Sequence, residues 1–160
     1  MADLLSVSPD DFKATLARWA SGVTVVTAAG PVGMTVSAFS SLSLEPPLVT
    51  VALSTDAHSS APILAAEGFA VHILGDDQRA LSTRFASPVD RFADLTWHDG
   101  PFGTPLLPAC LARLVCAHHA VADGGDHQIL IGRVVQVDVG EGEPVLYYRG
   151  AYRELASSDG

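Results

Sequence analysis

The chain has 160 residues, of which 48% are hydrophobic and only 17% are charged, and its formal net charge is −9. This length and apolar content predict one folded domain, residues 1–160 with an ordered core over about 8–155, and exclude a disordered chain. The nine basic residues are scattered singly, so nucleic acid is excluded as an expected partner, and the negative charge disfavours an anionic membrane.

The N-terminal segment predicts a helix and no targeting signal. The chain begins MADLLSVSPDD, without a basic and apolar leader, and its apolar runs fall short of the roughly 20 residues that span a bilayer, so we expect a cytoplasmic protein. Residues 8–21, SPDDFKATLARWAS, carry helix signals, with Ser8 as the cap and Pro9 in the first turn. An apolar stripe recurs at helical spacing: Phe12, Leu16 and Trp19.

The segment after this helix predicts mostly strands. Runs rich in β-branched residues alternate with Gly, Pro or Ser, which is typical of short strands. These runs cover residues 22–28, 34–39, 47–53 and 69–74. Two short helices are predicted between strands, at residues 61–67 and 77–85.

The C-terminal half predicts two long strands and a short one. Residues 108–122 and 126–140 are joined by Asp123-Gly124-Gly125, a sequence typical of a hairpin turn. Alternation along the second strand predicts an apolar face and a wet face. The apolar face holds His127, Ile129, Ile131, Val135 and Val137, and the wet face holds Gln128, Gln136 and Asp138. Residues 144–155 predict the last short strand.

This order of elements favours a mainly β fold with peripheral helices. The strands do not alternate regularly with long helices, and no GxGxxG follows a strand, which argues against a doubly wound nucleotide-binding fold. We therefore expect a small closed antiparallel barrel. The high apolar content further predicts that a second subunit covers part of its surface.

Two kinds of site have little support in the sequence. There is no GxSxG, and the side chains of the neighbours Asp126 and His127 are expected to diverge on a strand, so no hydrolase triad is predicted. Cys116, His118 and His119 cannot all converge, because adjacent strand residues face opposite sides, so no metal site is predicted. The two cysteines lie too far apart on such a strand to bridge and are predicted to be buried thiols.

The stretch GMTVSAFSSLSLEPPLVTVAL, residues 33–53, is rich in small hydroxyl side chains. Five of them fall within nine residues: Thr35, Ser37, Ser40, Ser41 and Ser43. One interpretation is a solvated edge strand. The other is a wall for a flat ligand with neutral hydrogen-bonding edges, such as an oxidised isoalloxazine, and other flat heterocycles would fit as well.

Two further segments could complete such a site. Residues 54–64 lead a loop with Ser59 and Ser60 into a short helix, which suits either a phosphate or plain capping by Ser60. In the sequence TRFASP, Arg84 could neutralise a phosphate and Phe85 could cover an aromatic ring. Taken alone, such an arginine is more often a surface residue.

His127 is the last candidate. It follows a Gly-Gly turn in GGDHQILIG, residues 124–132, and is therefore expected at the rim of a strand rather than in its buried middle. An imidazole at that place could contact a phosphate, an amide or a ring, or could merely satisfy the turn.

These segments, in this order, resemble the short-chain flavin reductases, the NAD(P)H:flavin oxidoreductases that form the small component of two-component monooxygenases such as 4-hydroxyphenylacetate 3-monooxygenase. The resemblance extends from the first helix to Leu155. It is carried by ASGVTVVTA (20–28), GMTVSAFSSLSLEPPLV (33–49), RFA (84–86), GGDHQILIG (124–132) and YYRGAYREL (147–155). It implies an FMN-binding split β-barrel, a Greek-key-like antiparallel barrel that binds flavin at a homodimer interface.

The resemblance also implies roles for individual residues. The flavin ring and ribityl chain would be lined by Met34, Thr35, Val36, Ser37, Ala38, Ser40 and Ser41. Backbone contacts would come from Leu53, Ser54 and Thr55, and phosphate contacts from Ser59 and Ser60. The phosphate or adenine end would be bordered by Arg84, Phe85 and Ala86. His127 would act as the catalytic residue and would face the nicotinamide together with Arg149, Gly150 and Tyr152.

The implied function is hydride transfer from NADH or NADPH to FMN or FAD, which supplies reduced flavin to a separate monooxygenase by diffusion. Such a transfer needs positioning more than acid–base chemistry, which agrees with the lack of a catalytic dyad in the sequence. Two alternatives stay open. One is a non-catalytic flavin-binding electron-transfer protein on the same barrel, and the other is a split-barrel oxidoreductase with permanently bound FMN.

Overall fold

Residues 6–156 are described by a computed structural model of the chain, and the expectations about the opening MADLL and the closing SSDG lie outside this range. Three α-helices lie in it: α1 (Pro9–Leu16), α2 (Ser60–Ala65) and α3 (Arg79–Ala86). It also holds twelve strands: β1 (Ser21–Gly22), β2 (Thr24–Ala28), β3 (Val32–Val36), β4 (Phe39–Ser43), β5 (Leu48–Ser54), β6 (Gly68–Ile73), β7 (His98–Asp99), β8 (Pro105–Leu106), β9 (Ala112–Asp123), β10 (His127–Val139), β11 (Leu146–Tyr148) and β12 (Ala151–Arg153). Within the same range, no helix has the length and hydrophobicity that a bilayer crossing requires.

Helix α1 begins where the sequence predicts but ends earlier. The Ser8 hydroxyl accepts a hydrogen bond from a backbone N–H of the first turn, and Pro9 lies within that turn. The helix ends at Leu16, because the Ala17 carbonyl accepts instead from the Arg149 N–H at 3.3 Å and the chain soon enters β1. None of the residues of α1 is buried, so its apolar stripe faces outwards.

The main sheet has seven antiparallel strands in the order β3-β2-β6-β9-β10-β5-β4. Its two edge strands are consecutive in the chain, with only Ser37 and Ala38 between them. Because three Cα steps reach at most about 11 Å, the edges must lie near each other and the sheet must curl into a barrel. The mainly β fold with peripheral helices is therefore confirmed. Full closure is not seen: β3 and β4 do not pair, so the barrel is split at Ser37, where the strand predicted over 34–39 is interrupted.

The predicted β9–β10 hairpin is present, but the faces of β10 are reversed. Leu130, on the face predicted to be wet, is fully buried, while Val135 and Val137 on the predicted apolar face are more than half exposed. Two register shifts interrupt the pairing with β9, and one of them leaves Val135 without a counterpart. The reversal begins before Val135, since Leu130 belongs to the barrel core and Val134 packs against it. Apolar residues occupy both faces of this strand, so alternation alone did not show which face would turn inwards. The face that carries Ile129 consequently points out of the barrel.

The C-terminal segment, predicted as one strand, forms a hairpin. Strands β11 and β12 pair antiparallel, and β1 pairs with β11 through Ser21 and Tyr147. The turn residues Arg149 and Gly150 both have positive φ, 52° and 75°. Two successive residues of this kind form the tight type I′ turn that joins twisted strands. The hairpin thereby holds Arg149 beside the end of α1, at the opening of the barrel.

Two large hydrophobic cores and a small third cluster stabilise the fold. The first fills the barrel and includes Val26, Val51, Leu53, Phe69, Cys116 and Leu130. The second lies between the barrel and α3 and includes Val25, Leu74, Phe85, Leu107 and Val145. Burial raises the pKa of the Cys116 thiol to about 12, so it remains a protonated, unreactive core residue. Cys110 is half-buried and lies before β9 rather than within it, and both thiols are free.

A buried histidine ties three segments together. His72 on β6 is fully buried, with Nδ1 3.0 Å from the Val25 carbonyl and Nε2 3.1 Å from the Leu107 N–H. Nδ1 therefore donates and Nε2 accepts, which requires the neutral ring. Burial lowers the pKa of His72 to about 4, with a smaller contribution from the nearby Arg113 charge. The residue is a structural cross-link.

Candidate functional site

Three adjoining cavities meet at Ser37, in the split of the barrel. Their volumes are about 540, 350 and 230 Å³, and Ser37 lines all of them. We call them together the Ser37 cleft, and we call the smallest the small pocket. The two interruptions that create the cleft are the break between β3 and β4 and the tight turn between β11 and β12.

One wall of the largest cavity is the outer face of the sheet. Ser40 on β4 pairs with Thr50 on β5, and Ala52 on β5 pairs with Ile129 on β10. Paired residues of antiparallel strands lie on the same side of a sheet, so these four side chains share one surface. Three of the four are small, which allows a flat ligand to approach the strands closely.

Further lining comes from outside the main sheet. Leu16 contributes from the end of α1 and Trp19 from the segment that follows it, and Tyr147 and Arg149 contribute from the β11–β12 hairpin. The Tyr147 ring contacts Tyr152 edge to face, with centroids 5.7 Å apart and planes at 67°. Aromatic residues beside a small-residue surface favour a planar partner. No pattern in the sequence indicated that Trp19 or Tyr147 would line a binding site.

The small pocket is bordered by a hydrogen-bonded cluster. Thr35 on β3 donates to the Ser82 carbonyl at 2.6 Å, and the Ser82 hydroxyl lies 2.8 Å from the Tyr152 hydroxyl. These bonds connect β3, α3 and β12, so the pocket has fixed walls. Its remaining lining includes Val23 and Ala86.

The structure brings together eight of the residues that the sequence analysis proposed. The largest cavity is lined by Ser37, Ala38, Ser40, Arg149 and Gly150, and the small pocket by Thr35, Ala86 and Tyr152, with Ser37 again. Ser41 is exposed but borders neither cavity. Val36 and Leu53 are buried and Met34 packs on the barrel core, so their side chains face away from the cleft.

The expected roles of Ser59 and Ser60 need correction. Both residues are buried. The Ser59 hydroxyl donates to the Gly33 carbonyl at 3.2 Å, and the Ser60 hydroxyl lies 3.7 Å from the Met34 sulfur. Neither side chain caps α2, since its cap residue is Ser59 and makes no capping bond. Their hydroxyls thus fix α2 to β3 instead of pointing towards a phosphate.

Phe85 and Arg84 also differ from expectation. Phe85 is fully buried in the second core, and its ring contacts Phe92 edge to face at 5.2 Å between centroids. A Cβ at Gly33 would lie only 2.8 Å from this ring, which is why glycine is needed there. Phe85 therefore supports β3 from inside and cannot cover a ligand ring. Arg84 is half-buried and donates to the Ala93 carbonyl.

A residue that the sequence analysis missed lies nearby. Arg91, in the loop after α3, donates to the Gly33 carbonyl and to the Ser59 hydroxyl, both at 2.7 Å. The signal in the sequence was weak: a second Arg-Phe pair that follows the first at 84–85. Only the fold brings this loop against β3 and Ser59.

At the rim of the sheet, Asp126 and His127 form a contact that the sequence analysis excluded. Asp126 Oδ1 lies 2.6 Å from His127 Nδ1, because Asp126 belongs to the turn and strand alternation begins only at His127. His127 pairs with Ser54, and on the same face Ile129 lines the largest cavity. At about 3.3 Å per residue, His127 lies roughly 7 Å beyond that lining position.

Residues 6–156 contain no group of three or more His, Cys, Asp or Glu side chains that could hold a metal ion. The cleft combines neutral hydroxyls, backbone groups and aromatic rings, with Arg149 as the cation in its lining. Such a surface suits a flat, polar, uncharged ring system.

Comparisons with known proteins agree with this geometry. The model of the family described as flavin reductase like domain matches residues 16–156. The FMN reductase (NADH) SmoA of Agrobacterium fabrum is 40% identical over 144 residues, which cover 88% of this chain and 83% of that protein. The reductase component of the 4-nitrophenol 4-monooxygenase/4-nitrocatechol 2-monooxygenase of Rhodococcus opacus is 41% identical over 146 residues, which cover 89% of this chain and 78% of that protein.

A solved structure shares the whole fold. The NADH:FAD oxidoreductase SgcE6 of Streptomyces globisporus, in complex with NAD and FAD fragments, superposes with a TM-score of 0.90 at 35% sequence identity. The superposition covers 97% of this chain and 99% of that one. The two proteins therefore share amino-acid sequence as well as architecture over nearly the whole chain.

Proposed function

This chain belongs to the flavin reductase family, and from that premise we propose that it is an NAD(P)H:flavin oxidoreductase that reduces FMN or FAD for a separate monooxygenase. The observation that carries the proposal is the Ser37 cleft, in which three cavities meet at the hydroxyl run that the sequence marked as a wall for a flat ring. The named relatives indicate the reaction class, and the cleft is where we propose that the flavin binds.

The residues of the cleft fit a flavin. The largest cavity, of about 540 Å³, lies in the usual range of roughly 300–1,000 Å³ for small-molecule sites. Its sheet wall is flat and made of small side chains, and its hydroxyls and backbone groups can bond to the carbonyls and nitrogens of an isoalloxazine without charge. When bound, the flavin accepts a hydride from the nicotinamide and carries it away in reduced form.

The work of the protein in this reaction is positioning. Ser37, Ala38 and Ser40 would contact the ring system, while the Thr35–Ser82–Tyr152 cluster keeps β3 and α3 in place. The cleft shows no acid–base pair in its lining. This agrees with a hydride transfer, because such a step depends on holding two rings in contact rather than on moving protons.

The nicotinamide side is proposed to lie between the β9–β10 turn and the β11–β12 hairpin. His127 stands at the rim of the sheet beyond Ile129, with its ring fixed by Asp126, and Arg149 projects from the tight turn beside the cleft. In this arrangement His127 would contact the dinucleotide, and Arg149 would offer it a positive charge. Gly150 and Tyr152 would complete this side.

A homodimer is part of the proposal. The α1 stripe is an exposed apolar surface, with Phe12 59%, Leu16 49% and Trp19 78% accessible. Leu16 and Trp19 also line the largest cavity, so a second copy on this stripe would cover the cleft as well as the apolar surface. The bound flavin would then lie next to the subunit interface.

A direct assay tests the proposed function. Purified protein is mixed with NADH or NADPH and with FMN or FAD, and dinucleotide oxidation is followed by absorbance. We expect oxidation that depends on added flavin. Retention of flavin through dialysis would instead indicate a permanently bound cofactor, and flavin binding without any dinucleotide oxidation would indicate an electron carrier.

A further inference from the structure

A serine and a tyrosine hydroxyl bond to each other beside the small pocket. Ser82 on α3 is fully buried, and its Oγ lies 2.8 Å from the Tyr152 Oη. In the described part of the chain, the Tyr152 oxygen is the one hydrogen-bond partner of the Ser82 hydroxyl. The Ser82 carbonyl is a separate acceptor, which takes the hydrogen of the Thr35 hydroxyl at 2.6 Å.

The burial of Ser82 fixes the direction of this bond. If Tyr152 donated, the hydroxyl hydrogen of Ser82 would have no acceptor among residues 6–156, and a buried hydroxyl without a partner is costly. Ser82 therefore donates and Tyr152 accepts. The phenolic hydrogen of Tyr152 is then left to donate elsewhere, and Tyr152 is half-buried and lines the small pocket.

Further contacts hold Tyr152 in place. Its ring contacts Tyr147 edge to face, and Tyr147 is also its partner in the pairing of β11 with β12. Two residues after Tyr152, Glu154 Oε1 lies 2.6 Å from Nη2 of Arg79, which begins α3 one turn before Ser82. The end of β12 is thus attached to α3 at two points, so the phenol has little conformational freedom to lose when a ligand binds.

The small pocket offers donors without charge. Among the described residues, no charged side chain belongs to its lining, and the hydrogen of the Thr35 hydroxyl is already used by the Ser82 carbonyl. Ser37 adds a second hydroxyl where this pocket joins the rest of the cleft. Neutral donors without a cation favour a neutral acceptor, such as a carbonyl oxygen, over an anion.

We propose that Tyr152, oriented by Ser82, donates its phenolic hydrogen to a carbonyl oxygen of the ligand bound in the Ser37 cleft. This inference rests on the proposed function and adds to it one ligand contact and one positioning residue, Ser82, which acts through Tyr152. A hydroxyl that accepts a hydrogen bond is polarised and becomes a stronger donor, so the buried serine strengthens the contact as well as orienting it. The carbonyl belongs to the isoalloxazine or to the nicotinamide carboxamide, and the binding experiment separates the two.

The experiment measures how strongly the protein distinguishes a carbonyl from a thiocarbonyl, which is a weak acceptor. FMN binding is followed by its fluorescence, and binding of 2-thio-FMN and 4-thio-FMN by displacement of FMN. NAD and its thionicotinamide analogue are compared by displacement of NADH, without flavin, so that no turnover occurs. For Tyr152→Phe we expect the affinity for one parent ligand, and its advantage over one thio analogue, to fall about three- to tenfold.

The matched control is Tyr148→Phe. It removes a tyrosine hydroxyl from β11, at a position that lines none of the three cavities. This variant should leave every affinity, and every ratio of parent to analogue affinity, at the wild-type value.

Two further variants test Ser82. Ser82→Ala removes the group that orients the phenol and should lower the same parent-to-analogue ratio about twofold. In Ser82→Ala/Tyr152→Phe the ratio should equal that of Tyr152→Phe alone, because Ser82 acts through Tyr152. The double variant leaves neither hydroxyl unpaired, so it also covers the case in which Tyr152→Phe does not fold. A merely structural role of either residue would weaken parent and analogue equally and leave the ratio unchanged.

The outcomes separate the sources of the carbonyl. A lower ratio for a thio-FMN assigns it to the flavin, and a lower ratio for the thionicotinamide analogue assigns it to the dinucleotide. Wild-type ratios throughout in Tyr152→Phe, or in the double variant, overturn the inference, and a wild-type ratio in Ser82→Ala overturns the part assigned to Ser82. A wild-type protein that binds neither flavin nor NADH overturns the proposed function, and this inference with it.

Discussion

Asp126 Oδ1 lies 2.6 Å from His127 Nδ1, at the turn between β9 and β10. The Asp126 carbonyl accepts from both the backbone N–H and the hydroxyl of Thr55, each at 3.0 Å, which ties this turn to the end of β5. The imidazole is therefore held by a neighbour that is itself fixed to the sheet. This arrangement orients the ring at the rim of the cleft, where we place the nicotinamide.

We expect His127→Ala to slow the reduction of bound flavin by NADH about tenfold, or to raise the NADH concentration needed for half the maximal rate about tenfold. The reason is the loss of a contact to the dinucleotide at the rim, while the flavin wall around Ser37 remains intact. Stopped-flow measurement of flavin reduction over a range of NADH concentrations tests this. Asp126→Ala, which frees the ring without removing it, should show a smaller change in the same direction.

The control for this experiment is His119→Ala, an exposed histidine of β9 that lines none of the three cavities. It should leave the reduction rate, the NADH dependence and flavin binding unchanged. An unaltered rate and NADH dependence in His127→Ala would remove His127 from the reaction.

We expect Ser37→Leu to weaken flavin binding at least about tenfold, or roughly 1.4 kcal/mol. Ser37 lines all three cavities, so a larger side chain would fill the point at which they meet. Fluorescence titration with FMN measures the effect. Ser6→Leu, at an exposed serine outside the cleft, is the control. Wild-type affinity in Ser37→Leu would show that the ring binds elsewhere.

We expect Phe12→Asp to convert a dimer into a monomer. The side chain is 59% exposed on the apolar stripe of α1 but does not line the cleft, so the change acts on the subunit contact rather than on the flavin wall. A charge in an apolar interface is costly to desolvate. Sedimentation velocity gives the result, with Ala14→Asp on the opposite side of the helix as the control. A monomeric wild-type protein would contradict the proposed dimer.

We expect the fold to lose stability on mild acidification because of His72. Burial lowers its pKa in the folded protein from 6.5 to about 4, so between these values the unfolded chain binds a proton that the folded chain does not. The stabilisation is complete above about pH 6.5 and is lost as the pH falls towards about 4, by at most about 3 kcal/mol.

Urea unfolding at several pH values between these limits tests the contribution of His72. His72→Gln, which cannot titrate, should be less stable than the wild type near neutral pH and should show a flatter dependence on pH. The same slope in both proteins would assign the acid sensitivity to other groups.

Part of the hydroxyl run lines the cleft, but the sequence did not indicate which of its residues do so. Ser37 and Ser40 line it, whereas Ser41, two residues before the last hydroxyl of the run, does not. Ser40 and Ser41 are neighbours on β4, so their side chains lie on opposite faces of the sheet. Similarly, the apolar face of β10 was assigned by alternation, but the opposite face, with Leu130 and Val134, turns towards the barrel core.

The residues that were expected to bind a phosphate show even more clearly that local sequence does not determine a side chain's contacts. Arg84, Ser59 and Ser60 were selected because their local sequences are typical of anion sites. In the fold, Ser59 and Ser60 bond inwards to β3, and Arg84 bonds to the carbonyl of Ala93. Arg91, which local sequence did not mark, donates to the Gly33 carbonyl, 58 residues away in the chain.

The sequence by itself determined most of the strands, the helix start at Pro9, the hairpin at Gly124-Gly125 and the family. Alternation, capping and turn residues act over a few neighbours, so their physical causes lie within the segments that show them. Only the tertiary structure decided which hydroxyls face the cleft and that Phe85 belongs to the core. Those outcomes depend on curling of the sheet, which brings distant strands together and leaves each side chain to bond with groups that are remote in the chain.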